Sequence, residues 1–299
     1  MPLRRAGLVA RVLAVSLLTA LTAACSGQQL VNTLASTGGY ELHAGQAYGN
    51  LPRQQLDVYE PDNDVPDRPV VVFFYGGRWS SGERAGFRFV AQALTSRGYV
   101  AVVPDYRLYP EVRFPDFVED GARATAWVRE HAVDYGGDPG RLFLMGHSAG
   151  AHIAAMLATD ERYLQAVGGS PDWLAGMIGL AGPYEFLPIT AEDLKDTFGP
   201  EDTWPASQPV NFVDGNEPPM LLMHGADDVT VHAEDSEILA EKVHAAGGQA
   251  ALELYPGIGH IRLIGNLGLP LRWFAPQLDR IAAFVDETAA KIGPSPETR

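Results

Sequence analysis

Residues 142–157 read Leu142-Phe143-Leu144-Met145-Gly146-His147-Ser148-Ala149-Gly150-Ala151-His152-Ile153-Ala154-Ala155-Met156-Leu157. An apolar run of strand type enters a G-x-S-x-G turn, and Ala149, Ile153, Met156 and Leu157 leave it at helical spacing. At a strand-to-helix junction this pattern lifts the serine hydroxyl off the sheet on a tight turn. The flanking glycines are needed because a side chain would clash where strand and helix pack. The helix N-terminus beneath the serine directs partial positive charge at a developing oxyanion. Ser148 is therefore the candidate nucleophile.

Outward from that turn the chain alternates strand-like and helix-like stretches. Residues 56–59 alternate as an early edge strand, and 70–74 are continuously apolar, as a buried parallel strand should be. Residues 99–103, 177–180, 221–223 and 251–254 read as further strands. Helical spacing covers 85 to about 97, about 115 to 131, 235–246 and 275 to about 292. Such alternation implies a mainly parallel sheet with helices on both faces. Residues 182–219 break the rhythm: they are rich in Pro, Asp and Glu, carry aromatics, and are too long for a simple connection. They read as a small lid over the active site.

A serine hydroxyl is a weak nucleophile at neutral pH; it needs a general base, and the base an orienting acid. Acids follow the 221–223 strand in His224-Gly225-Ala226-Asp227-Asp228-Val229-Thr230-Val231. An imidazole follows the last strand in Tyr255-Pro256-Gly257-Ile258-Gly259-His260. Among the other histidines, His43 and His131 precede Ser148, His147 and His152 flank it, His224 precedes the acid turn, and His232 and His244 lie on or near a helix. An oxyanion hole needs converging backbone N–H groups, one from Ala149 and others from the loop after residues 70–74. That loop reads Tyr75-Gly76-Gly77-Arg78-Trp79, with Gly77 and Arg78 placed to donate.

These elements, with Asp105-Tyr106-Arg107-Leu108, Tyr135-Gly136-Gly137-Asp138-Pro139 and the Gly146 to His152 stretch, resemble the α/β-hydrolase superfamily over nearly the whole chain beyond its leader. Within it the chain resembles the carboxylesterase branch related to hormone-sensitive lipase and prenylcysteine methylesterase. The resemblance implies an α/β-hydrolase fold: a mostly parallel central sheet, helices on both faces, and a small lid segment. The superfamily's H-G-x-x-D-x-x-V pattern puts the acid three places after the glycine, which selects Asp228 over Asp227. Tyr75 and Arg78 replace the histidine and last glycine of an H-G-G-G motif; the donors are backbone groups, so the hole survives. The Asp-Tyr-Arg-Leu stretch is structural in that branch. The expected activity is that of a serine carboxylesterase on small-molecule esters of short to medium acyl chains, through Ser148, Asp228 and His260, with no metal or organic cofactor. An amidase, formamidase or peptidase could use the same triad, and an envelope lipoprotein could use the fold only for binding. Arg78 beside the site would favour an anionic substrate group.

The 299 residues and 46% hydrophobic content suit one large domain. A formal net charge of −15 leaves no basic nucleic-acid footprint. Arg4, Arg5 and Arg11 precede the apolar stretch Val12 to Leu21, which is too short to span a bilayer comfortably. Leu21-Thr22-Ala23-Ala24-Cys25 then resembles a bacterial lipoprotein signal with its lipobox. The resemblance implies removal of residues 1–24, lipid on Cys25, and attachment to the bacterial cell envelope. The alternative is an ordinary cleaved signal, a free cysteine and secretion. Cys25 is the only cysteine, which excludes an intramolecular disulfide. The expected organisation is a tether and N-terminal segment over 25–50, the domain over 51–293, with 182–219 as its lid-like excursion, and a tail over 294–299.

Overall fold

The structure, a computed structural model, describes residues 29–293. Its strands are β1 (Tyr40–Ala47), β2 (Gln55–Pro61), β3 (Arg68–Phe74), β4 (Val100–Pro104), β5 (Gly137–His147), β6 (Leu174–Leu180), β7 (Met220–Gly225) and β8 (Ala250–Tyr255). Its α-helices are α1 (Arg88–Thr95), α2 (Asp116–His131), α3 (Ala149–Thr159), α4 (Glu161–Gln165), α5 (Glu192–Phe198), α6 (Glu234–Ala245), α7 (His260–Gly265) and α8 (Gln277–Ile292). The strands form one eight-stranded sheet in the order β1-β2-β4-β3-β5-β6-β7-β8. β1 and β2 pair antiparallel, as do β2 and β4; from β4 through β8 every pair is parallel.

The apolar runs land where their composition requires. Val70 to Phe74, Leu142 to Met145, Met177 and Ile178, and Leu221 to Met223 are fully buried. Each such side chain contributes about 1.5–3 kcal/mol relative to exposure. Several boundaries differ from the sequence reading, β5 and β6 beginning earlier than their apolar runs. Strand 56–59 is not the edge, because β1 lies outside it in register, with Leu42 opposite Tyr59 and Gln46 opposite Leu56. The sheet therefore begins inside 25–50, the stretch read as a tether and N-terminal segment. Residues 29–34 are helical, and Asn32 and Arg88 tie them to the start of α1 through Asn32 Nδ2 to Ala85 O and Arg88 Nη2 to Asn32 O, each 2.9 Å. The helix expected from residue 85 opens as a 3₁₀ turn over Arg84–Phe87. Residues 1–24, Cys25 and 294–299 lie outside the described residues.

The parallel strands β5, β7 and β8 all end at the same edge of the sheet. The loops after them carry Ser148, Asp228 and His260. That shared edge positions the site.

Candidate active site

Ser148 sits between β5 and α3 with φ 54° and ψ −122°, a left-handed conformation that costs a non-glycine residue about 1–3 kcal/mol. Its N–H is held by Leu180 O of β6 at 2.9 Å, which pins the turn. A Cβ on Gly150 would lie 2.0 Å from the Phe74 carbonyl oxygen, so only glycine allows α3 to close onto β3. Ala149 begins α3, where the first-turn N–H groups have no intrahelical partner.

The facing wall is Tyr75-Gly76-Gly77-Arg78-Trp79. Gly77 has φ +139°, followed by Arg78 at 57° and Trp79 at 55°. Three successive residues in this region bend the loop tightly, and Gly77 O accepts from the N–H groups of Ser80 and Ser81 at 3.1 and 3.0 Å. Tyr75, standing where the resembled motif has histidine, is fully buried. Burial pushes its hydroxyl far above the ordinary range, so it stays protonated and donates to Asp105 Oδ1 at 2.7 Å. Tyr106 donates to the Tyr75 carbonyl at 2.7 Å, and Asp105 also binds the Arg84 backbone and guanidinium. Arg107 grips buried Asp120 of α2 through Nε at 2.8 Å and Nη2 at 2.9 Å. The Asp-Tyr-Arg-Leu stretch thus braces the loops around the site.

Asp228 and His260 meet. His260 Nδ1 lies 2.7 Å from Asp228 Oδ2, with both residues buried. Asp228 Oδ1 accepts the N–H groups of Thr230 and Val231 at 2.8 and 3.1 Å. Burial alone would raise the Asp228 carboxyl; the nearby His224 imidazole and the hydrogen bonds from His260 and Thr230 overcome it and hold the carboxyl well below the usual carboxylate range. The carboxylate can only accept, so His260 Nδ1 carries the proton and Nε2 is left as the basic nitrogen. Asp227, its neighbour, is exposed and accepts from the Gly257 N–H at 3.3 Å, tying the acid loop to the histidine loop. His147 is buried against the pair, its ring 4.7 Å from that of His260 and its Nε2 3.2 Å from the His260 carbonyl.

Residues 182–219 contain α5 and 3₁₀ turns over Glu201–Ser207 and Pro209–Asn211. They pack against both walls of the site. Phe186 and Phe198 stand 6.0 and 4.8 Å from Trp79 by ring centroids, and both lie 5.8 Å from His152. His152, one turn into α3, donates from Nε2 to Ser207 O at 2.7 Å. Asp235 of α6 accepts from the Tyr184 and Glu185 N–H groups at 3.0 and 2.9 Å. The Arg78 guanidinium is paired with Asp193 of α5, so the cation on which the expected attraction of an anionic substrate group rested already has a carboxylate partner. Cavities of about 450 and 380 Å³ lie on this segment near Trp204 and beside the His260 loop near Phe274; Ser148 lines neither. Among the described residues no group of three or more His, Cys, Asp or Glu side chains is arranged to hold a metal ion.

His224 and Ser236 lie close to Asp228, and neither was among the candidate site residues read from the sequence. His224 was visible only as a histidine at the end of the acid strand, and its contact with α6 joins residues twelve apart in sequence.

A mostly parallel sheet with a serine elbow after β5 and an Asp–His pair after β7 and β8 is the architecture of the α/β hydrolases. The BD-FAE family profile matches residues 56–243, and the chain belongs to that family. It is 31% identical over 278 residues to a probable isoprenylcysteine alpha-carbonyl methylesterase, ICMEL1, of Arabidopsis thaliana, covering 84% of this chain and 58% of the plant protein. It is 32% identical to Esterase LipC of Mycobacterium tuberculosis (strain ATCC 25618 / H37Rv), covering 71% of this chain and 58% of that protein. The chain thus spans less than two thirds of the length of these relatives. Among solved structures it is similar to esterase 2 of Thermogutta terrifontis in its apo form, with a TM-score of 0.68, 28% identity, and 87% and 98% of the two chains covered.

Proposed function

We propose that the chain is a serine carboxylesterase in which Ser148, His260 and Asp228 form the catalytic triad, and Gly77, Arg78 and Ala149 supply the oxyanion-hole N–H groups. The observation that carries this reading is the 2.7 Å His260–Asp228 hydrogen bond at the sheet edge that also holds the strained Ser148 elbow. Similarity to proteins named esterases and methylesterases supports the choice of ester substrates.

His260 Nε2 takes the Ser148 Oγ proton as Oγ attacks the ester carbonyl. Asp228 holds the imidazole in the Nδ1–H tautomer and stabilises the imidazolium. The carbonyl oxygen, now an oxyanion, collects the N–H groups of the Gly77–Arg78 loop and of Ala149, reinforced by the N-terminus of α3. His260 then protonates the departing alcohol, and water, activated by the same imidazole, releases the acid. Residues 182–219 act as a lid, and the rings of Phe186, Phe198 and Trp79 offer an apolar wall for a short to medium acyl chain.

Nitrophenyl acetate, butyrate, octanoate and palmitate, each assayed beside the matching anilide, test the substrate class. Esters of the shorter chains should turn over and anilides should not. Faster turnover of anilides would replace this reading with an amidase. The same proposal keeps lipid on Cys25 and the envelope location, supported by residues 21–25 alone. Mass spectrometry of the N-terminal peptide from membrane extracts tests it, and an unmodified Cys25 would remove it.

A further inference from the structure

Behind Asp228 lies a second imidazole that the proposed reaction does not use. His224, next to the last residue of β7, is completely buried. Its Nε2 is 3.0 Å from the Val231 carbonyl oxygen and 3.5 Å from Asp228 Oδ2, and its Nδ1 is 2.7 Å from Ser236 Oγ on α6. A carbonyl can only accept, so Nε2 carries the proton and Nδ1 accepts from the buried Ser236 hydroxyl. The Nε2–H is hydrogen-bonded to Val231 O and stands 3.5 Å from Oδ2, the same carboxylate oxygen that receives the His260 Nδ1–H.

We infer that His224 is a positioning residue for the triad acid: its Nε2–H draws on Asp228 Oδ2 from behind and so sets how strongly that oxygen binds His260. This inference rests on the triad reading. Ser236 anchors His224 from α6, while β7 and the Val231 turn fix its depth. With the Nε2–H removed, more of the charge on Oδ2 is directed to His260 and its charged form is favoured. The titratable groups beside the pair are His147 from β5, His224 from β7 and Asp227 of the acid loop; Asp235 of α6 and the exposed His232 before that helix lie on the far side of His224. Of these, His224 alone joins Asp228 to α6.

The test compares His224→Gln with His224→Asn in the mature protein. A glutamine amide reaches the Nε2 position and keeps a donor there. An asparagine amide reaches only the Nδ1 position, keeping the Ser236 contact and losing the donor toward Asp228. The acid limb of the kcat/KM profile should coincide with wild type in the Gln variant. In the Asn variant it should move up by about half a pH unit. A merely structural histidine would lower the active fraction without moving the limb. An Asn limb that superimposes on wild type, or Gln and Asn limbs that move together, would overturn the inference. Absence of ester turnover in wild type would instead overturn the triad reading beneath it.

Discussion

Arg78 Nε and Nη2 meet Asp193 Oδ2 and Oδ1 at 2.5 and 2.9 Å, joining the turn after β3 to α5 of the 182–219 segment. One partner shapes the candidate oxyanion loop and the other lies on the proposed lid. The pair is about half exposed on each side, so its worth to global stability is under about 1 kcal/mol. Asp193→Ala should leave the Tm within about 2 °C of wild type. It should still lower kcat/KM severalfold, because the lid loses its tie to the loop. Unchanged kinetics would mean that the tie has no part in turnover.

A backbone change in the same loop should act on chemistry more than on folding. A Cβ on Gly77 would lie 2.1 Å from the Ser81 carbonyl oxygen, and φ +139° is a conformation that alanine avoids. Gly77→Ala must reorient the Gly77–Arg78 peptide. A fall in kcat of about a hundredfold is expected, the cost of one lost oxyanion donor. Circular dichroism should stay close to wild type. Retention of full kcat would place the hole elsewhere.

Two buried histidines contribute to the response to acid. Burial lowers His152 to about 4 and His147 to about 3, against an unfolded value of about 6.5. Between those values the unfolded chain binds protons that the native chain refuses, so stability is full above about pH 6.5 and is lost as pH falls toward 4. His152→Gln keeps a donor for Ser207 O and removes one such titration. Its urea midpoint should fall less steeply from pH 7 to pH 5 than that of wild type. Parallel curves would show that His152 does not titrate on unfolding.

Much of this was legible in the chain because the deciding residues are local. The G-x-S-x-G turn, the buried runs around Val71, Leu144 and Leu222, and the glycine three places before Asp228 are all readable within a few residues. β1 was not legible: most of its side chains are exposed and its pattern does not alternate, since it is held by the backbone ladder to β2. The capture of Arg78 by Asp193 spans 115 residues, and no short-range signal announces it. The choice between Asp227 and Asp228 rested on a resemblance; the geometry supplies the physical reason, burial and His260 on one and solvent on the other.

The role of Ser148 as nucleophile is tested by turnover of nitrophenyl butyrate by wild type and Ser148→Ala, with Tm recorded for both. Ser148→Ala should lose at least about a thousandfold in kcat with the Tm unchanged or raised, because the variant loses only a hydroxyl from an elbow strained at φ 54°. A folded Ser148→Ala protein that retains even a tenth of the wild-type rate would contradict it.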